Sequence, residues 1–316
     1  MKRSTLSLFV VVLLTVLLIG CAPAPTPIPP TDTPSPIPPT MTAQPSATAT
    51  ETLVPSPTPL PGKVLFSVDT LGKSIPWLPL DKTAMPGVNF VGFNTVKRPF
   101  NSTAARQAFA YSVDRTVILE MAARYKAINT EAATTLTPPQ TLGRDLYGDV
   151  GINYDPSKAQ ALLAEAGYTD PSSFPKVLFL VNASGDIAPG ARFNMATAMP
   201  DMWKTTLGVQ VEVQAIQNFN SYGNRLRNDP PDLFWLGWRA DYNDPANFTG
   251  SLFSPNGDYG GQYNYGHFSN SEFNQLVDKA AKTTDPAVRQ ELYIQAERIL
   301  CETEAGIIPI YHSTYR

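Results

Sequence analysis

Proline decides how much of this chain can pack. Residues 22–62 carry 14 prolines and 9 threonines, and their only charges are Asp32 and Glu51. Each proline removes an amide donor and fixes φ, so neither a helix nor a sheet strand can run through the stretch. An extended polyproline II path is favoured instead. At ~3.1 Å per residue the segment could reach on the order of 100 Å. It predicts an unpacked linker, with a short leader before it and a remainder, 63–316, after it. That remainder has ample material for a core, since the chain is 43% hydrophobic with 15 Phe, 13 Tyr and 4 Trp.

The leader has its own logic. Lys2 and Arg3 form a positive head, and 6–19 is apolar apart from Ser7 and Thr15. A spanning helix needs about 20 apolar residues, so this run is too short, and it fits the core of a secretory signal. It ends Leu18-Ile19-Gly20-Cys21, which resembles the lipobox of bacterial lipoproteins. The resemblance implies that 1–20 are removed and that Cys21 carries the lipid anchor, placing the folded part outside the cytoplasm and tied to the cell membrane. Without the leader, 22 Lys and Arg face 27 Asp and Glu. A nucleic-acid binder would carry a basic footprint, so no nucleic-acid partner is expected. Cys21 and Cys301 are the two cysteines. With Cys21 acylated no disulfide forms within the chain, and Cys301 is expected to pack as a small buried hydrophobe near a helix end.

In 63–316, apolar runs at 88–93, 176–182, 209–213, 232–236 and 307–311 read as strands. Helix signals lie between them. Asp155-Pro156 opens a helix with Ala159, Leu162, Leu163 and Ala166 as its stripe and Gly167 as its stop. Asp285-Pro286 opens another, with Val288, Leu292, Gln295 and Ile299 on one face. Ser269 and Glu272 have capping-box spacing ahead of Phe273, Leu276, Val277 and Ala280. Further helices are expected over 103–121 and 193–206. Strands separated by helices predict an α/β domain.

Catalytic signatures are sparse. The stretch Ser67 to Ser74 nearly matches a phosphate-binding loop, but Ser67 replaces the first glycine. Pro76 and Pro79 also forbid the helix that would present amides to an anion. No G-x-S-x-G, H-E-x-x-H or cysteine pair occurs. His267 and His312 lack ligand-like neighbours, so neither a metal nor a cofactor is expected. Asp241 and Asp244 could be imagined as a carboxylate pair, but Asp244-Pro245 reads as a turn or helix entry. Asn101, Asn182 and Asn247 open glycosylation triplets, a weak signal in a chain with a bacterial lipobox.

Several ordered motifs remain: Val91-Gly-Phe-Asn94, Arg98-Pro-Phe-Asn101, Arg106-Gln-Ala108, Tyr111-Ser-Val-Asp114-Arg115, and Tyr154-Asp-Pro-Ser-Lys-Ala159 through Leu162 to Tyr168. After these come Trp203 to Val213, Gly237-Trp-Arg-Ala-Asp241-Tyr-Asn-Asp-Pro245, Ala296-Glu297 and Ile308-Pro-Ile-Tyr311. Together they resemble family 5 extracytoplasmic solute-binding proteins, the binding components of oligopeptide, dipeptide and nickel ABC importers, over about 87–316. The resemblance implies the carboxy-terminal lobe of a periplasmic-binding-protein-like type II fold, a mixed sheet flanked by helices, preceded here by the disordered Pro/Thr-rich stalk. It also implies a chain shorter than full members, lacking most of the amino-terminal lobe and the tail that returns to it. Closure on a ligand uses two walls.

The same resemblance implies the site. Asp241 matches the aspartate that holds a peptide α-ammonium, a task suited to a charge-assisted acceptor. Trp238 would line the pocket, with Tyr242 and Asn243 as weaker candidates. The expected partners are a peptide or other small solute, ABC permease subunits, and the membrane through Cys21. Nickel, haem, sugars and opines are alternative ligands. An exported hydrolase on an α/β scaffold and a non-functional fragment are the competing readings.

Overall fold

A computed structural model describes residues 85–124, 130–142, 148–184 and 191–315. The signal 1–20, Cys21, the 21–62 linker and the phosphate-loop look-alike at 67–74 lie outside the described residues.

In chain order the elements are β1 (Met85–Phe93), α1 (Thr103–Tyr111), α2 (Arg115–Arg124), β2 (Thr130–Ala132), α3 (Pro139–Leu142), α4 (Pro156–Glu165) and β3 (Val177–Asn182). Then follow α5 (Ala191–Leu207), β4 (Val211–Ile216), α6 (Phe219–Asn228), β5 (Leu233–Arg239), α7 (Thr249–Phe253), α8 (Ser271–Lys282), α9 (Pro286–Arg298) and β6 (Ile307–Tyr315). The strands form one mixed sheet in the order β2-β6-β1-β5-β3-β4. β1 runs antiparallel to both β5 and β6, whereas β3 is parallel to β4 and β5. The α/β expectation, a mixed sheet with flanking helices, is met. The β1–β6 register slips between Asn89 and Phe90, where Phe90 faces Pro309. Proline cannot donate to a ladder, so an irregular register is where a strand tolerates one.

Side chains alternate across the strands, and each sheet face has its own core. Val91, Phe93, Phe179, Leu233 and Trp235 face one way, packing with Phe100 and Phe109 of the α1 region and Trp203 of α5. The Trp203 indole N–H donates to the Phe109 carbonyl at 3.0 Å. Val88 and Phe90 face the other way, toward Phe248, Leu252, Phe273 and Ala296. Trp238, three residues after Trp235 on β5, packs with this second group.

Several helix readings need correction. The expected 103–121 helix is two helices, α1 and α2. Ser112 Oγ turns back to the Ala108 carbonyl at 2.7 Å, and Asp114 accepts from the Thr116 amide at 2.9 Å, competing with a continuous helix. Asn270, not Ser269, caps α8, accepting from the Phe273 amide at 2.9 Å. In α9 the buried face is Leu292, Tyr293, Ala296 and Glu297, while Val288 is 48% exposed and Gln295 is exposed. Glu297 is buried because the amides of Leu136 and Thr137 donate to its carboxylate at 2.7 and 2.9 Å. β4 begins two residues later than expected, and the three-residue β2 carries no sequence signal of its own. Cys301 is buried in the turn that ends α9, as expected. His312 is also buried, 2.9 Å from the Thr135 carbonyl, whereas His267 is exposed.

Candidate ligand-binding site

β5 is apolar at its start and breaks into a polar loop at its end, so it delivers Trp238 to the rim of the sheet and Asp241 just beyond it. The Ala240 amide, bonded to the Pro86 carbonyl at 2.9 Å, fixes where the strand stops. The chain then turns through a 3-10 helix, Pro245–Asn247, capped by Asp244 at the Ala246 amide at 2.8 Å. Asp244 is held in turn by Arg289, 2.8 Å away. So Asp244 is a turn residue, as its proline neighbour suggests, and its carboxylate is engaged.

That turn folds Asn247 back beneath Asp241. Asn247 is fully buried, and its Oδ1 accepts from the Trp238 indole N–H and from the Asp241 amide, both at 3.0 Å. Its Nδ2 donates to Asp241 Oδ2 at 3.3 Å, and the Tyr259 hydroxyl donates to the same oxygen at 2.7 Å. The Asp241 carboxylate pushes the Tyr259 phenol up to about 12, the hydrogen bond being the largest cause. Asp241 itself is exposed. Among the described residues both bonds to its carboxylate fall on Oδ2, which leaves Oδ1 for another donor.

Tyr242 is engaged away from Asp241. Tyr242 donates to Asp258 at 2.5 Å, an oxygen that also accepts from Ser251 at 2.8 Å. Partial burial first, and the bond to Asp258 second, raise the Tyr242 phenol. Asn243 is exposed on the loop.

Beside Trp238 lies an aromatic wall. Tyr259 and Tyr263 pack against its ring at centroid distances of 5.8 and 5.2 Å, and Tyr265 continues the line from Tyr263 at 6.2 Å. The turn between these tyrosines uses Gly260 and Gly261 at φ of 57° and 74°, a region that favours glycine. Trp238, Tyr263 and Tyr265 line a cleft of about 180 Å³ together with Leu236, Arg192 and Arg239. Sites that enclose a small ligand run to roughly 300–1,000 Å³, so this cleft is smaller than a complete enclosing site.

Arg192 sits in the first turn of α5. Its Nε is buried without a hydrogen-bond partner among the described residues. Its charge acts on the buried Tyr222 at the cleft, lowering a phenol that burial holds up. The cleft therefore places a cation and an aromatic wall beside the Asp241 loop. Tyr259, Tyr263 and Arg192 were not singled out by the sequence, and Asn247 stood out only as the start of a glycosylation triplet. Arg192 does carry a signal, because a basic residue in a helix's first turn opposes the helix dipole.

The family model described as bacterial extracellular solute-binding proteins, family 5 (middle) matches residues 58–260. The heme-binding protein A of Haemophilus influenzae is 32% identical over 226 residues, which are 72% of this chain and 39% of that protein. The periplasmic oligopeptide-binding protein OppA of Escherichia coli is 30% identical over 69% of this chain and 38% of its own length. Among solved structures, a dipeptide-binding protein from Pseudoalteromonas sp. SM9913 in complex with Met-Leu superposes with a TM-score of 0.61 at 28% identity. That match covers 73% of this chain and 44% of the other. The chain thus spans about two fifths of the length of the curated relatives it matches. It belongs to the family 5 solute-binding proteins. Among the described residues no helix is long and apolar enough to cross a membrane.

Proposed function

We propose that this member of family 5 is the substrate-binding lipoprotein of an ABC importer for peptides, and that the described sheet supplies one wall of the binding cleft. Membership in a family of solute-binding proteins stands against the hydrolase alternative. The observation that carries the peptide reading is the pairing of opposite charges at one aromatic cleft. Asp241 offers a carboxylate oxygen on the loop that follows the cleft-lining strand, and Arg192 lines the cleft, its Nε buried without a hydrogen-bond partner among the described residues. A peptide is a zwitterion with a variable apolar body. Its ammonium suits Asp241, its carboxylate suits Arg192, and its side chains suit Trp238, Tyr263 and Tyr265. Export, cleavage before Cys21 and acylation at that residue would tether the wall to the membrane. The 21–62 linker would let it reach the permease subunits it serves.

The test is binding of matched free and amino-acetylated peptides to the processed chain, read by native mass spectrometry and calorimetry. Against one open wall, water screens the ammonium pair, so Asp241→Asn should cost about 1 kcal/mol or less. With a second wall in place from a full-length relative, the pair is desolvated and the loss should rise to about 2–5 kcal/mol. Acetylated peptides bound as well as free ones, in both settings, would remove Asp241 from the site and leave it a turn residue.

A further inference from the structure

We infer that Asn247 and Tyr259 are the positioning residues of the ammonium site: together they lock the Asp241 carboxylate so that Oδ1 faces the ligand, and Asn247 holds the Trp238 ring in register with it. This rests on the reading of Asp241 as the ammonium acceptor.

The argument begins with the problem Asp241 faces. It sits on an exposed loop just past a strand end, where an aspartate side chain is free to rotate. A carboxylate that samples several rotamers must be frozen when the ligand binds, and each frozen side chain costs about 0.5–1.5 kcal/mol of binding. Two donors converging on one oxygen remove that freedom beforehand. Tyr259 Oη at 2.7 Å and Asn247 Nδ2 at 3.3 Å both fall on Oδ2, so the opposite oxygen is the one presented.

Asn247 is suited to this in a way its neighbours are not. It is fully buried, so its amide is fixed by packing, and a primary amide carries an acceptor and two donors on one planar group. Its Oδ1 takes the Trp238 indole N–H and the Asp241 main-chain N–H at 3.0 Å each, while its Nδ2 reaches the Asp241 side chain. One side chain therefore ties the aromatic wall, the loop backbone and the charged group to a common frame. The frame continues outward. The 3-10 turn that places Asn247 is capped by Asp244, which Arg289 on α9 grips at 2.8 Å. Tyr259 adds the second fixing point from a different segment, and its ring packs on Trp238 and Tyr263. Its hydroxyl has a purpose there beyond apolar contact.

The experiment compares the native chain with Tyr259→Phe, Asn247→Ser and Asp241→Asn. Four quantities are read for each: affinity for a free peptide, affinity for its amino-acetylated counterpart, the ratio of the two, and the melting temperature. Tyr259→Phe keeps the ring and deletes one hydroxyl at a half-buried position, so it should melt within a degree or two of the native chain. If it positions Asp241, the free-to-acetylated ratio should fall roughly three- to tenfold, the scale of one ordinary net hydrogen bond, while acetylated-peptide affinity stays put. Asn247→Ser should lower the same ratio and also shift the Trp238 fluorescence. A merely structural role would lower both affinities together, follow the melting temperature, and leave the ratio unchanged. The inference is overturned if Asp241→Asn abolishes discrimination but Tyr259→Phe and Asn247→Ser preserve it. A native chain that shows no discrimination overturns the reading of Asp241, and this inference with it.

Discussion

Glu297 gives the most demanding test of the fold. It is a carboxylate with 0% exposure, on the face of α9 that meets the 133–138 segment. Its two oxygens take the Leu136 amide at 2.7 Å and the Thr137 amide at 2.9 Å, and the Cys301 thiol lies 3.4 Å from Oε2. Glu297→Ala would leave both amides buried without acceptors. At roughly 1–3 kcal/mol per buried unsatisfied group, with a further contribution from the cavity, the loss should be about 3–5 kcal/mol. For a unit of this size that lowers the melting temperature by roughly 2–4 °C per kcal/mol. Glu297→Gln keeps the volume but turns an amide donor toward a backbone donor, so about half the loss is expected. The pH dependence has a definite sign. Burial, the largest cause, raises the carboxyl above its ordinary 4.5 despite the amide bonds. The native state therefore holds the proton to higher pH than the unfolded chain, and stability must fall as pH rises through the window above 4.5. Glu297→Gln should flatten that slope. Urea titrations across pH, with hydrogen exchange at Leu136 and Thr137, measure all of this. An alanine variant within about 1 kcal/mol of native, with both amides still protected, would refute the reasoning.

Arg192→Gln should weaken binding of peptides with a free carboxyl terminus severalfold and leave amidated ones unchanged, as measured by calorimetry. The Tyr259 phenol, held up to about 12 by Asp241, should titrate nearer its ordinary 10 in Asp241→Asn, read by ultraviolet difference absorbance. In bacteria given labelled palmitate, Cys21→Ser should abolish the label, and equal label in both forms would sink the anchor.

What the sequence made legible follows from how local each signal is. The α4 stop is an example. Gly167 adopts φ of 92° where only glycine is at ease, and the Asp155-Pro156 start caps the Lys158 amide at 3.0 Å. Both can be read because cap and stop depend on neighbouring residues. The α9 face was misread because its apolar period suggests Val288, while the side that packs is chosen by Glu297 reaching two amides some 160 positions away. No window of periodicity contains that partner. The Ser112 break between α1 and α2 falls between these cases: the competing hydroxyl is visible in the sequence, but its choice of the Ala108 carbonyl over solvent is not.

The site divides along the same line. Trp238, Asp241 and the Asp244 turn lie within one short run, so a motif can carry them, and strand β5 followed by a polar loop is where an α/β sheet presents ligand groups. Tyr259 comes from 18 residues further on, and only folding reveals that its hydroxyl ends on Asp241. Arg192 comes from 49 residues earlier and sits where local rules discourage it, since the first turn of a helix favours acids over bases. Its Nε is buried without a hydrogen-bond partner among the described residues. Local rules tend to be broken at functional sites and compensated elsewhere. Arg192 breaks such a rule, and on the function proposed above a ligand carboxylate would be its partner.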